Sequence, residues 1–436
     1  MKTKHIVFVL PSLHGGGAEG VVVRLSHGLL NRGYKVSILT LESRQQYIID
    51  DQIEVKTLSS LEGQANKFLK LLSSFMQLFN LIRYIKKNDA CYIGFLERPI
   101  LYVGFARLFL KFPCIASFRN HTSSHLMSGR DSFWGRRFAF IYRRLLATSS
   151  RKFDHLDFLS KAARMDFDEN FFDTSAKAQK DFNVSVIYNG YNVSKMSVKA
   201  TKYSAFPLLD DLMVRKPCLV SVGRIEQQKG HLNFLHVLAG LKAENLDATY
   251  VVVGDGALKE ELVSLSRKLS LELVDLTRCT SGNLNHADVI VTGFVENPFA
   301  ILSRAKYFVF PSLWEGFGNA LVEALCVGTP VLSSDCPVGP REILDIPLDR
   351  KVEEKVTGAG GFLLPLLPNE KWDDFDKIKR IWTEGVSDAL RLEKEEYSAL
   401  RQDAVQRAAF FSEPKQLDAW EEIIKALPDS RLRSKY

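Results

Sequence analysis

Short unbroken apolar runs alternate with longer amphipathic ones along most of this chain, and that alternation restricts its fold more than any other property. In the first half the order is "HIVFVL", Ala18–Asn31, "KVSILTL", Asn66–Lys87, "ACYIGFL" and "CIASFRN". Apolar runs without polar interruption suit parallel strands buried on both faces, and the amphipathic runs between them suit the covering helices. "HLDFLSKAARMDFDENFF" adds a strand and a helix with Ser160 as N-cap, and "VSVIYNG" ends the half at a turn-forming Asn189-Gly190.

Residues 191–216 lose this periodicity and carry polar residues and prolines, as an interdomain linker would. A second series then follows: "PCLVSVGR", a helix over His231–Leu241, "ATYVVVGDG", a helix over Leu258–Leu269, "VIVTGF", a short helix near Pro298–Lys306, "YFVFPS", a helix over Asn319–Val327, and "PVLSSD". The predicted fold is α/β, with two Rossmann-like doubly wound domains facing each other across a cleft. Residues 1–190 form the first domain, 217–408 the second, and 409–436 a closing helical segment. A chain of 436 residues is too long for one ordinary core, which agrees with two domains of about 200 residues each. The halves do not repeat each other's motifs, so their likeness is architectural. "SLELVDLTRCTSGNLNHA" (270–287) reads as a surface loop.

The balance of 46% hydrophobic and 25% charged residues describes a soluble globular protein. A net charge of +7 suits anionic substrates, a membrane surface or nucleic acid, and does not choose among them. Lys2 and Lys4 before Ile6–Leu10 resemble a signal peptide, but Pro11 follows only five apolar residues, so a buried first strand fits better. No run is long and apolar enough for a spanning helix. The six cysteines lack metal-ligand spacing and read as reduced thiols of a cytoplasmic protein.

Three segments carry chemistry. Gly15, Gly16 and Gly17 sit between a strand and a helix, where backbone amides and the helix dipole favour an anion and missing side chains allow close approach. The spacing matches neither the dinucleotide fingerprint nor the P-loop, and a plain tight turn explains the glycines equally well. In "SVGRIEQQKG", Arg224 and Lys229 follow Gly223 at a strand's carboxyl end, where two fixed cations suit a diphosphate. In "FPSLWEGFGNALVEALCVGTPVLSSDCPVGPREIL", the loop Glu315, Gly316, Phe317, Gly318, Asn319 opens a helix carrying Glu323. Amides there can receive phosphate oxygens, and the two carboxylates can accept hydrogen bonds from sugar hydroxyls.

On these motifs, together with "VIYNGYN" and "VVVGDG", the chain resembles a GT-B glycosyltransferase of family 4 over about positions 5 to 345. The resemblance implies a retaining transferase that takes a sugar from a nucleotide diphosphate, with UDP the expected nucleotide. Arg224 and Lys229 would stabilise the departing diphosphate, Glu323 would hold the ribose, and Glu315 with the amides of 316–319 would hold the donor sugar. The loop at Gly15–Gly17 would close onto the phosphates as the domains shut and exclude water. His121 occupies the place of the family's acceptor-side histidine, with Glu97, Arg119 and Asn120 as further acceptor-side candidates. The last closing helix would cross back to the first domain, with Pro414 at the break. No cofactor and no metal are expected: Asp166 and Asp168 form an Asp-x-Asp pair, but inside a helical run where i and i+2 do not share a face.

"NKFLKLLSSFMQLFNLIRYIKK" and "WGRRFAFIYRRLL" mix basic and large apolar residues at helical spacing. Both fit either a core helix with a cationic edge or an interfacial helix on anionic lipid. "DCPVGPREIL" resembles family members that build bacterial surface polysaccharides on lipid carriers. The expected partners are thus a UDP-sugar and a glycan or lipid-linked acceptor, at the inner face of the cell membrane, with no nucleic acid. The rival readings are a sugar-nucleotide epimerase or hydrolase on the same fold, and a basic module binding nucleic acid, which leaves the glutamate pair unexplained.

Overall fold

The computed structural model describes residues 4–14, 17–59, 67–120, 133–171, 183–278 and 284–428. It divides into two compact units, Met1–Gly190 with Glu413–Tyr436, and Tyr191–Ser412.

In the first unit, strands β1 (His5–Leu10), β2 (Lys35–Thr40), β3 (Glu54–Thr57), β4 (Cys91–Phe95), β5 (Cys114–Phe118), β6 (His155–Phe158) and β7 (Val184–Val186) form one sheet. Its order is β3-β2-β1-β4-β5-β6-β7, and every pair is parallel. Helices α1 (Gly17–Asn31), α2 (Lys67–Lys87), α3 (Glu97–Ala106), α4 (Phe133–Ser150) and α5 (Lys161–Phe171) cover it. Because side chains alternate along a strand, β1 feeds two cores. Ile6, Phe8 and Leu10 pack with Val22, Leu25 and Leu29 of α1, while Val7 and Val9 pack with Leu81 and Ile85 of α2 and Ile100 and Val103 of α3.

The second unit begins with α6 (Val193–Ala200) and α7 (Pro207–Arg215), inside the stretch expected to be a linker. α6 spans only eight residues, too short for its apolar positions to stand out as a period; the Asn192 side chain caps it by accepting from Lys195 N at 2.9 Å. The remaining elements, in chain order, are β8 (Cys218–Val222), α8 (His231–Ala243), β9 (Thr249–Val253), α9 (Lys259–Lys268), β10 (Leu273–Asp275), β11 (Val289–Val291), α10 (Phe299–Leu302), β12 (Tyr307–Phe310), α11 (Asn319–Cys326), β13 (Val331–Ser334), α12 (Pro340–Ile343), β14 (Val356–Gly358), β15 (Gly361–Leu364), α13 (Phe375–Leu390) and α14 (Lys394–Phe410). β10 corrects the reading of 270–287 as loop alone: three half-buried residues pair parallel with β11 at the sheet edge, too few to show a period. The sheet order is β10-β11-β9-β8-β12-β13-β15-β14, with only β14 antiparallel.

The last described helix, α15 (Glu413–Ala426), belongs to the first unit. Leu417, Trp420 and Ile424 enter the α1 core, and Arg32 pairs with Asp418 at 2.6 Å and Glu421 at 3.0 Å. Pro414 is its second residue, where a missing amide hydrogen costs nothing.

Both sheets switch the direction of their strand order at the centre, between β1 and β4 and between β8 and β12. Open parallel sheets bind ligands beyond the strand carboxyl ends at such points.

Candidate functional site

In the second unit, the loops leaving β8 and β12 flank the reversal. β8 is followed by Gly223, whose amide donates to Val253 O at 3.0 Å, and then by Arg224, its side chain 71% exposed and paired to Glu226 at 2.9 Å. A short turn, Gln227–Lys229, brings the chain back to β12. It is fastened there by Leu313 N donating to Gln228 O at 2.8 Å and by Gln228 Nε2 donating to Trp314 O at 2.9 Å. Gly230 lets the turn dock this closely: its φ is +65°, and a Cβ would stand 2.0 Å from Pro311 O.

The docking carries Lys229 to Glu315, with Nζ 2.6 Å from Oε1. Glu315 is 8% exposed; burial, and then the nearby carboxylates of Glu315 and Asp335, push the Cys336 thiol well up. Arg341 holds Asp335 through two bonds of 2.6 Å. Gly316 is half-buried and Phe317 fully buried, and Gly318 caps α11 at φ +100° and ψ +53°, a conformation that suits glycine alone. The amide end of α11 therefore opens at Asn319 beside the Lys229–Glu315 pair, and Glu323 is half-buried on the helix's second turn. Arg224, Lys229, Gly223, Glu315, Gly316, Phe317, Gly318, Asn319 and Glu323 are thus all on the two loops and one helix at the reversal.

Beneath them runs a buried relay that local sequence patterns do not reveal. Ser221 donates to Val309 O at 2.5 Å and Tyr250 donates to Ser221 Oγ at 2.8 Å, so His231 Nδ1, 2.9 Å from the Tyr250 hydroxyl, must carry the proton. Burial and the Lys229 charge depress the His231 pKa to about 3, so the imidazole is neutral. It ties α8 to β8, β9 and β12 at once.

In the first unit, Gly17 is the first residue of α1, while Gly15, Gly16 and His121 lie outside the described residues. Glu97, 5% exposed, opens α3 just after Leu96, a non-glycine residue at φ +76° and ψ +163°. That geometry is essentially confined to glycine and persists only where the surroundings impose it. Asn120 Nδ2 stands 3.5 Å from Glu97 Oε1 across the ends of β5 and β4.

Arg119 corrects an expectation. Its side chain is 1% exposed, donates to Ser117 Oγ at 2.8 Å and Ile187 O at 2.9 Å, and forms a fully buried ion pair with Asp157. The rings of Phe95 and Trp420 lie 4.9 and 5.5 Å from its guanidinium. Arg119 is a core residue that braces α15 against β5 and β6, and it presents no group to an acceptor.

Asp166 accepts from Asn170 at 2.9 Å and Asp168 pairs with Arg164 at 3.3 Å, so the two carboxylates serve different partners on α5. Among the described residues no three His, Cys, Asp or Glu side chains stand together as metal ligands. The described cysteines, Cys91, Cys114, Cys218, Cys326 and Cys336, are buried and unpaired. Burial raises the thiols of Cys218 and Cys326 to about 12, which leaves them protonated.

Comparison with known proteins bears on the whole arrangement. A family model described as Glycosyltransferase Family 4 matches residues 15–195, and one described as Glycosyl transferases group 1 matches residues 216–359. The N-acetylgalactosamine-N,N'-diacetylbacillosaminyl-diphospho-undecaprenol 4-alpha-N-acetylgalactosaminyltransferase of Campylobacter jejuni is 27% identical over 334 residues, 76% of this chain and 81% of that protein. An uncharacterised glycosyltransferase of Methanocaldococcus jannaschii is 30% identical over 212 residues, 47% of this chain and 49% of that protein, so the chain matches about half of that relative's length. Anabaena HepE, solved in complex with UDP, aligns with a TM-score of 0.64 at 15% identity over 97% of this chain and 99% of that one, which is likeness of fold.

Proposed function

The chain belongs to the glycosyltransferases of the GT-B fold, and from that premise we propose that it is a retaining hexosyltransferase of family 4. It would move a sugar from UDP to a hydroxyl of a lipid-linked glycan in surface polysaccharide synthesis. The observation that carries the donor side is the convergence of Arg224, Lys229, Glu315 and the amide end of α11 on the strand-order reversal between β8 and β12.

Arg224, exposed beyond β8, and Lys229 would neutralise the diphosphate as it departs, the step in which negative charge accumulates. The Lys229–Glu315 pair holds the carboxylate in place before substrate arrives, so Glu315 and the amides of 316–319 would receive the donor sugar without reorganising. Glu323 would bind the ribose hydroxyls. With two cations and a helix end to balance the charge, the reaction would proceed without a metal. UDP as donor is supported by the UDP bound in the similarly folded HepE.

The first unit would supply the acceptor face through Glu97 and Asn120 at the ends of β4 and β5, with His121 following. A lipid-linked acceptor is supported by the undecaprenol-linked substrate named for the Campylobacter relative and by the outer face of α2. Leu72, Phe75, Met76 and Phe79 recur at helical spacing and are 43%, 63%, 40% and 65% exposed. α3 packs between α2 and α4, which exposes Phe140, Ile141 and Leu145. Arg83, Lys86, Lys87, Arg143 and Arg144 on these helices complete the mixture that docks on anionic lipid. No described helix is long and apolar enough to cross a membrane, so attachment would be peripheral, at the inner face.

The test is a panel of radiolabelled UDP- and GDP-sugars with a membrane extract as acceptor. Label should enter the lipid-soluble fraction from a UDP-sugar with the native protein and not with Glu323→Ala. Epimerised sugar nucleotide formed without any acceptor would replace this reading with an epimerase.

A further inference from the structure

The two segments that bound the second unit run side by side against its donor loop. Tyr191 N donates to Phe411 O at 2.8 Å, and Tyr191 bridges in parallel with Ser412. Tyr191 is 1% exposed, and its hydroxyl donates to Asn319 Oδ1 at 2.6 Å, across 128 residues of sequence. Asn319 is the first residue of α11, whose amide end is the proposed phosphate site. On the adjoining segment, Phe411 meets Phe317 edge-on at 5.7 Å between centroids. Arg407 lies over the rings of Phe410 and Phe411 and donates to the carbonyls of Ile343 at 2.7 Å and Glu342 at 2.6 Å, so this contact is also held from behind.

Packing alone does not account for the hydroxyl, since a phenylalanine would fill the same space without a polar group to satisfy. Its bond specifies which end of the Asn319 amide is turned toward Tyr191, and thereby the orientation of that side chain at the first turn of α11.

We propose that Tyr191 is a positioning residue of the donor site, which sets Asn319 and the α11 amide end for the nucleotide diphosphate and couples donor occupancy to the Tyr191–Phe411 crossing. The inference rests on the donor-site reading above. Its physical basis is that a bound diphosphate and the Tyr191 hydroxyl act on the same helix turn, so each stabilises the arrangement the other needs.

UDP titrations of the native protein, Tyr191→Phe, Asn319→Ala and the double variant test it, with thermal unfolding of each as the measure of fold. Tyr191→Phe should bind UDP roughly 5- to 10-fold more weakly, the effect of one lost hydrogen bond. The double variant should bind no more weakly than Asn319→Ala alone, because both substitutions remove the same link. Hydrogen exchange supplies a readout that a purely structural residue would not move. UDP should slow exchange of the Tyr191 amide in the native protein, and should do so much less in Tyr191→Phe and in Asn319→Ala.

Equal UDP affinity in native and Tyr191→Phe proteins, or fully additive losses in the double variant, would overturn the inference and leave the donor site standing. A native protein that binds neither UDP nor GDP would overturn both. Should Tyr191→Phe fail to fold, Asn319→Ala decides the matter: an unchanged exchange response to UDP in that variant contradicts the coupling.

Discussion

Lys229 Nζ and Glu315 Oε1 stand 2.6 Å apart, 20% and 8% exposed, because a short turn after β8 is zippered to the loop after β12. A pair this enclosed is costly to break from one side, since the remaining charge stays out of water. Lys229→Met should destabilise the protein by about 2 kcal/mol in denaturant unfolding, a value reduced for the exposure that Lys229 retains. The Lys229→Met, Glu315→Gln double variant should recover part of that loss while remaining inactive. Losses that simply add would show that the pair contributes no coupling.

Arg119 should behave as a core residue. Arg119→Met leaves Asp157 buried without its cation and should cost about 3–5 kcal/mol of stability. At temperatures where the variant is folded, its KM for acceptor should match the native value. Glu97→Gln should show the opposite pattern, with a native-like unfolding midpoint and a raised acceptor KM.

Acidification should weaken the second unit through His231. Its folded pKa of about 3 lies below the usual 6.5, so the unfolded chain binds a proton that the native state does not. Stability from this group is complete above pH 6.5 and is lost as pH falls toward 3. Between pH 6.5 and 5 the loss should be about 2 kcal/mol, from roughly 1.4 kcal/mol per pH unit. His5 and His155, each depressed to about 4, act in the same direction in the first unit. Chemical unfolding of His231→Gln across this range should show a shallower pH slope than the native protein; an identical slope would mean that His231 is not buried neutral.

Membrane docking should depend on the exposed stripe of α2. The native protein should sediment with vesicles containing phosphatidylglycerol at low salt and be released as salt rises. Phe75→Glu with Phe79→Glu should abolish sedimentation without changing UDP affinity. A native protein that ignores such vesicles would remove the support for peripheral attachment.

What could be read in advance was what is local in sequence. β1 declares itself because Ile6–Leu10 is buried on both faces, and "SVGR" and "EGFGNALVE" carry their strand, loop and helix within a few residues. The helices of 193–215 are hidden because they are only eight and nine residues long, too few turns for a period to stand out from the polar residues and prolines around them. Arg119 is ambiguous in sequence for a different reason: a polar residue after a strand reads alike whether it faces a ligand or an aspartate on the neighbouring strand, and nothing near Arg119 in sequence announces Asp157. The Tyr191–Asn319 bond and the relay from His231 to Val309 join residues far apart in the chain, and only the fold brings them together.

Titration of UDP into the native protein and into Lys229→Met, with a metal chelator present throughout, tests the central claim most directly. The account predicts saturable binding of one UDP per native chain, unaffected by the chelator, and at least about 10-fold weaker binding to the variant, as expected for a lost charge-assisted bond. Equal affinity of the two proteins, or no binding to the native one, would contradict it.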